Sequence, residues 1–529
     1  MYKIILVKLM NKYKLFLEQN INKLLNLYNT DKFSATYGYA DREFWGWKTK
    51  DFPNATLQGG VHSLAIAINL SLFEKKEESF ILEIIDSAIM AIQKIKDKNG
   101  SVVEAYPREN SFCVTALVAF DVLSAIKHLN KRLDNEIRQR YFKEINPLIE
   151  FITKNGEEHA IISNHLATGV AAIVLWNHLT GDNNQRDKEL LQIIYDHQSA
   201  EGWYREYEGA DPGYQTLCTY YLSCAYEITK DKMLLESLKI SANFLSHFIH
   251  PDGTIGGLYG SRNTEVFYPA GIVALSSEIE EFALMEKYLE PKGQHLLPQN
   301  IDIGNYIPFL NSYALAALKY DEVKENIEKI DDKPFYAKNE EKDFKQTGIY
   351  LASNKNYFAI FNYKKGGTLK VFDKNSGKLD IEDGGLFGTL NDGTKFSTQQ
   401  FDENITFQNK KIQANFYKMN ESSPNPLNFI ILRVLSLTVF RFVFLGNLFK
   451  KFIVNMLMTG KNKLDGSVTR EFEFLEDKVI VKEEIAQPKN CKDIKHIGKS
   501  KAIHMASSGY FISQNFENNN SKIVEFKNV

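Results

Sequence analysis

Cysteine is scarce in this chain. Four residues in 529 are too few for a disulfide scaffold, and Cys218 and Cys224, six apart in a helical pattern, would not face each other. Reduced thiols in a cytoplasm-like compartment are the expectation. Histidine is scarce as well, with 11 in all and none between His295 and His496. No His/Cys cluster has the spacing of a zinc site, so neither a metal nor another cofactor is expected. An excess of either charge is missing too: Lys+Arg 64 against Asp+Glu 66 leaves −2, no basic field that would recommend nucleic acid as a partner. An export signal is also absent from the reading. In Met1–Met10 the apolar run Ile4-Ile5-Leu6-Val7 breaks at Lys8, and no small-residue cleavage site follows. Lys3, Lys8, Lys12 and Lys14 with interleaved apolar residues read as the start of an amphipathic helix, and a cytoplasmic location is expected. What remains, 44% hydrophobic and 25% charged, is the composition of a globular chain with a sizeable core. It excludes a disordered tail, a collagen-like fibre and a polytopic membrane protein.

The pattern up to about residue 325 is helical. Phe112–Leu129, Gln215–Ile228 and Leu234–Phe248 repeat apolar residues at three- and four-residue spacing. From about 343 the grammar changes to antiparallel strands. Gly348–Tyr363 and Thr368–Asp373 are rich in Ile, Tyr, Phe and Val, and Lys-Lys-Gly-Gly, Asn-Ser-Gly and Asn-Asp-Gly turns divide the strands. A helical domain over 1–330 and a β-sandwich domain over 343–529 follow, joined by the charged segment Asp331–Lys342.

The helical half repeats itself. Gly100, Gly156, Gly202, Gly253 and Gly304 stand in similar turn contexts, at steps of 56, 46, 51 and 51 residues. One helix, a turn and a returning helix fit such a step. Six pairs fill the domain and suffice to close an α/α toroid, which is preferred here over an open solenoid. Each glycine precedes a loop dense in polar and aromatic residues: Glu104, Tyr106, Arg108 and Glu109; Asn164 and His165; Glu206, Tyr207, Glu208, Asp211 and Tyr214; Tyr259, Arg262, Asn263 and Glu265. Equivalent positions of a repeat share one rim, so these loops are expected to converge on one cleft.

An amide, an imidazole, phenols, a guanidinium and carboxylates along an open groove suit a sugar polymer. Abstraction of the C5 proton of a uronic acid needs this mixture, because negative charge develops on the sugar carboxylate and must be stabilised. Asn164, helped by His165 or Arg262, can supply that. Tyr214, at the opening of a helix whose positive dipole end favours phenolate, is the candidate base and acid. Each also has a plain structural reading. Asn164 would cap the helix at His165, Tyr214 would be a core aromatic, and Arg262 would pair with Glu265 at i,i+3. A glycoside hydrolase would instead use two carboxylates, Glu104 or Glu109 with Glu206 or Asp211. A non-catalytic glycan-binding or assembly protein would keep the cup without the chemistry.

The order Asn164-His165, then Gly213-Tyr214, then Gly260-Ser261-Arg262-Asn263, in a helical toroid followed by a β domain, resembles the heparinase II/III-like polysaccharide lyases. It is similar also to the wider group of alginate and chondroitin lyases of toroid-plus-sandwich build. Phe344–Gly348, Ala359–Gly367 and Asp383-Gly384-Gly385 look like that family's first β strands. The resemblance implies a lyase acting on a uronic-acid-containing polysaccharide or lipid-linked oligosaccharide. Asn164 would neutralise the carboxylate, Tyr214 would serve as base and acid, and His165, Arg262 and Glu265 would assist. Gln58, His62, Glu104, Arg108, Glu109, Tyr207, Asp211, Gln215, Tyr259 and Asn263 are the candidate substrate contacts. Members commonly carry histidines early in the β domain, which this chain lacks. That work then falls to His165 or His62, or the reaction is C5 epimerisation during assembly of a surface glycan.

Leu427–Leu445 is nearly all apolar, yet Arg433 and Arg441 interrupt it and Lys450-Lys451 follow. Two arginines make a poor spanning helix. The insert over 427–458 is expected to lie on the inner membrane face as a peripheral element, or to be buried against the toroid or in a dimer.

Overall fold

The computed structural model describes residues 11–157, 160–289, 301, 303–419, 425–455, 460–498 and 523–525. Met1–Met10, His295 and positions 456–458 of the insert lie outside them.

Twelve helices form six pairs. The outer members are α1 (Lys12–Leu25), α3 (Glu78–Ile95), α5 (Asn135–Lys154), α7 (Arg186–Asp196), α9 (Lys232–Ser246) and α11 (Glu280–Tyr288). The inner members are α2 (Val61–Asn69), α4 (Phe112–Leu129), α6 (Ser163–Thr180), α8 (Pro212–Thr229), α10 (Ala270–Leu275) and α12 (Ile303–Glu328). Each inner helix packs on the next, and α12 packs back on α2, so the ring closes. The sequence dictates which helix goes inside. In α4, apolar residues cover the whole circumference, as burial on every side requires. It is the one described helix long and apolar enough to cross a membrane, and 83% of it is buried inside the toroid. Ser111 starts it by accepting the Val114 N–H at 3.3 Å. Outer helix α5 shows instead a single stripe, Tyr141, Ile145, Leu148, Ile149 and Ile152. Cutting Leu148 to Ala there would cost about 2–5 kcal/mol.

The repeat has a backbone cause. Gly100 (φ 90°) and Gly202 (φ 103°) turn the chain so tightly against the next outer helix that a Cβ would lie 2.1 Å from the Pro147 carbonyl oxygen and 2.3 Å from that of Ile240. Gly38, outside the five-glycine series, makes the same approach to Ser87. Gly304 does not belong to the series: it lies within the first turn of α12 rather than in a loop.

The β domain is two antiparallel sheets. The first runs in chain order through β1 (Glu341–Phe344), β2 (Ile349–Ser353), β3 (Tyr357–Asn362), β4 (Thr368–Asp373) and β5 (Lys378–Asp383). The second has the order β11-β6-β7-β8-β9-β10-β12, where β6 is Leu386–Leu390, β7 Lys395–Ser397, β8 Lys411–Lys418, β9 Lys463–Phe474, β10 Lys478–Ala486, β11 Cys491–His496 and β12 Ile523–Glu525. Strand β3 is buried along its whole length because it has two dry faces. Tyr357, Ala359 and Phe361 enter the core between the sheets, while Phe358 and Ile360 join the toroid core. Polar anchors lock the same seam. Asn362 donates to the Tyr259 carbonyl at 2.7 Å, and buried Lys365 donates to the Gly260 carbonyl at 2.5 Å and to Asn263.

Between β8 and β9 the chain leaves the sandwich as a helical hairpin, α13 (Pro426–Leu437) and α14 (Val443–Val454). Apart from Ser436, the described residues of the two helices are not buried against the toroid, contrary to that part of the expectation. Yet their junction touches the rim, with the Phe440 ring 5.6 Å from Tyr106 and its carbonyl accepting from Asn110 at 3.4 Å.

Candidate active site

Inner helices alternate with outer ones, so all six run in the same direction and begin at one end of the ring. The candidate residues gather on the loops that enter them. Helix α6 starts at Ser163 after Ile162, which has no side chain able to cap it. Glu206 does so from the next repeat: its carboxylate accepts the Asn164 backbone N–H at 3.0 Å and the Asn164 side-chain amide at 2.8 Å. Asn164 is therefore not the cap but the capped residue, and it is only 3% exposed. Burial pushes the Glu206 carboxyl up to about 8, with nearby Asp211 adding to the rise and the Asn164 bonds and Arg262 opposing it.

Next to this pair, the Arg262 guanidinium lies 4.7 Å from the centre of the Tyr207 ring. Tyr207 is held in the left-handed region, φ 57°. Burial raises its phenol above the ordinary range, Arg262 pulls it back, and the phenol of Tyr214 and the carboxylates of Glu157 and Glu206 are close enough to be felt. Tyr214 is half-buried in the first turn of α8, where its N–H donates to Asp211 at 3.0 Å. His165, in the first turn of α6, keeps 24% of its side chain exposed, and its Nδ1 lies 2.6 Å from the Glu157 carboxylate. A carboxylate that fixes one ring nitrogen leaves the other to act on a substrate. Asn164, His165, Tyr207, Tyr214 and Arg262 thus come together, while Glu265 is drawn off toward Lys370, 3.4 Å away.

The β domain supplies a second wall that the sequence did not reveal. Lys450 of α14 reaches to 3.7 Å from Glu109. Burial alone would lower its ammonium, but Glu157 and Glu109 outweigh that and hold it above its usual value. Lys461 pairs with Glu208 at 3.1 Å. Glu109 also accepts the N–H groups of Glu104 and Ala105, so these two acids and Arg108, at φ 61°, form one rim loop beside Lys450.

Six of the expected substrate contacts are instead built into the fold. Gln58 is 2% exposed and spends its amide on backbone, accepting from Ala40 and donating to Gly38 and Ala88. Gln215 makes the equivalent bracket three repeats on, to Gly202 and Ser241. His62 is buried against Asp121 at 3.2 Å and stacked on His128, and burial drives its imidazole down to about 3. Asp211 accepts the N–H groups of Tyr214 and Arg262 and, at 3.3 Å, of Thr264, fixing the loop that carries Arg262. The Tyr259 hydroxyl is fixed between His250 and the Gly256 N–H, each at 2.8 Å. Asn263 is fully buried and takes Lys365. In the carboxylate pairs of the hydrolase reading, Glu206 and Asp211 are fully buried.

One group of metal-type donors occurs among the described residues, Asp383, Glu483 and His496, with ligand atoms within 4.8 Å of one another. The Arg470 guanidinium already pairs with Asp383 and, at 2.9 Å, with Glu483, so a cation is in place there.

No family model and no curated protein matches the chain in sequence. Solved structures do match in fold. The chondroitin AC lyase of Streptomyces coelicolor A3, in complex with chondroitin sulphate, superposes with a TM-score of 0.54 at 8% identity, over 89% of this chain and 66% of that one. A Paenibacillus xanthan lyase superposes with a TM-score of 0.51 at 9% identity, over 89% of this chain and 45% of that one. The chain spans about half to two-thirds of the length of these two structures. The chain shares with these two structures the fold of a helical toroid followed by a β domain, and the heparinase II/III-like family is not singled out.

Proposed function

We propose that the protein is a polysaccharide lyase-like enzyme that removes the C5 proton of a uronic acid residue in a glycan. The observation that carries this reading is the grouping of Tyr214, Tyr207 over Arg262, Asn164 held by Glu206, and the Glu157–His165 pair at one end of the ring. Tyr214 takes the proton from C5, and His165, its Nδ1 fixed by Glu157, assists. Charge develops on the sugar carboxylate, and the fixed cation of Arg262 stabilises it in a site already shielded from water. Asn164 and Arg262 are both nearly covered, so the amide, held by Glu206, and the cation support this charge together from beneath the cleft surface. The C5–H electron pair forms the C4–C5 double bond, the C4–O4 bond breaks, and O4 departs with the proton returned by the phenol. Lys450 and Lys461 add cations along the wall where a polyanionic chain would run.

The test is incubation with polyuronides of different linkage while ultraviolet absorbance of the unsaturated uronate is followed. Rising absorbance that Tyr214→Phe abolishes supports elimination. Deuterium uptake from heavy water at C5 without chain cleavage would move the reading to epimerisation. New reducing ends without absorbance would overturn both.

A further inference from the structure

Helices α13 and α14 are built inside out. The only buried residue of α13 is Ser436, and none of the described side chains of α14 is buried. The exposed side carries Leu427 (64%), Ile430 (60%), Val434 (54%), Phe442 (64%), Phe444 (70%) and Phe452 (61%). Leu427, Ile430 and Val434 fall on one helical stripe, which in a water-facing helix would be the face turned inward. An apolar surface of this kind on an otherwise ordinary protein marks a contact that the isolated chain does not make.

The charge pattern states which contact. Between Glu421 and Asp465 there is no acidic residue, while Arg433, Arg441, Lys450, Lys451, Lys461 and Lys463 are all cationic. Arg433 is tied to Asp51 at 2.6 and 2.8 Å, which fixes α13 to the toroid. Arg441 and Lys451 are exposed beside the apolar residues. A second protein copy would present its own hairpin with the same sign, and these cations would repel. A bilayer with anionic headgroups accepts both features, apolar side chains entering the acyl boundary and cations meeting phosphates. Each helix has 12 residues, roughly 18 Å, against the ~30 Å of a hydrocarbon core, so the hairpin lies on a membrane and does not cross it.

We propose that this hairpin docks the protein on an anionic lipid surface and sets the cleft at the headgroups. Phe440 against Tyr106 and Lys450 beside Glu109 join the docking element directly to the rim. On the lyase-like reading above, the glycan taken is then one attached to a lipid anchor and not a free polymer.

Flotation of the full chain with phosphatidylcholine vesicles, with and without phosphatidylglycerol, tests this. Wild type is expected to float with the anionic vesicles and to bind neutral ones at least about tenfold more weakly. Leu427→Glu and Phe444→Glu, at exposed positions, are expected to lower binding by about tenfold or more with an unchanged melting temperature. Wild type that stays in solution at low salt overturns the proposal. So does a dimer that covers the hairpin, detected by sedimentation as a species that Phe444→Glu splits without any vesicle binding. Vesicle binding with no ultraviolet signal on a uronic-acid glycan anchored in those vesicles would instead sink the lyase reading and leave the docking intact.

Discussion

Glu206 caps the inner helix that carries Asn164, although the two residues lie 42 apart in the chain. The bond ties one repeat of the toroid to the next at the point where the cleft begins. It also places a buried carboxyl, shifted up to about 8, directly behind the groups expected to handle a sugar carboxylate.

This shift has a sign that can be measured. The folded chain holds the Glu206 proton more tightly than the unfolded chain, whose carboxyl titrates near 4.5. Stability from this group is complete below that value and is lost as pH rises through about 8. Glu206→Gln keeps the shape without the titration, so its melting temperature should fall less than that of wild type between about pH 5 and 8. Parallel curves would show that the carboxyl does not titrate there.

His62 works in the opposite direction. Its imidazole is driven from 6.5 down to about 3 by burial, with Lys127 adding to the effect. Its contribution is present above 6.5 and is lost as pH falls toward 3. Replacement by Gln should make the acid limb of the stability curve shallower while kcat on any substrate stays within about twofold, because the ring is remote from the rim. A large loss of kcat at unchanged stability would return His62 to the site.

Arg262 and Tyr207 act as a unit. Arg262→Ala removes both the cation and the ring contact and should lower kcat by about 10²–10³-fold. Arg262→Lys keeps the charge but not the flat stacking surface, and an intermediate loss is expected. Equal losses in both variants would mean that stacking, not charge, is what the site uses. Thermal melting of each variant separates either effect from unfolding.

Gln58→Ala and Gln215→Ala should destabilise the toroid by about 1–3 kcal/mol each, since each leaves buried partners unmet. KM for a glycan should not move. A raised KM at unchanged stability would show that one of these amides faces the substrate after all.

Much of the architecture was legible because it rests on local causes. The roughly fifty-residue step follows from glycines such as Gly100 and Gly202 that must lie against the next outer helix, and the continuous apolar run of β3 follows from its two dry faces. The loops were legible as a set but not side chain by side chain. Gln58, Asp211, Gln215 and Asn263 are polar residues in polar segments, and composition does not tell an amide that brackets a carbonyl from one that greets a sugar. Only the geometry separates Asp211, which holds three backbone N–H groups, from Glu157, which orients His165. Lys450 carried no local signal at all. It reaches Glu109 from an insert in the other half of the chain, and in sequence it reads simply as a charge beside apolar residues.

The closure of α12 onto α2 changes how the toroid should respond to damage. In an open solenoid the end repeats have one neighbour and peel away first, and the array melts by stages. In a ring every pair has two neighbours, so there is no weak end. Loss of one pair opens two interfaces at once and frees the loops on both sides. Damage to the helical domain should therefore register as a single cooperative collapse, with the cleft lost in the same step as the ring.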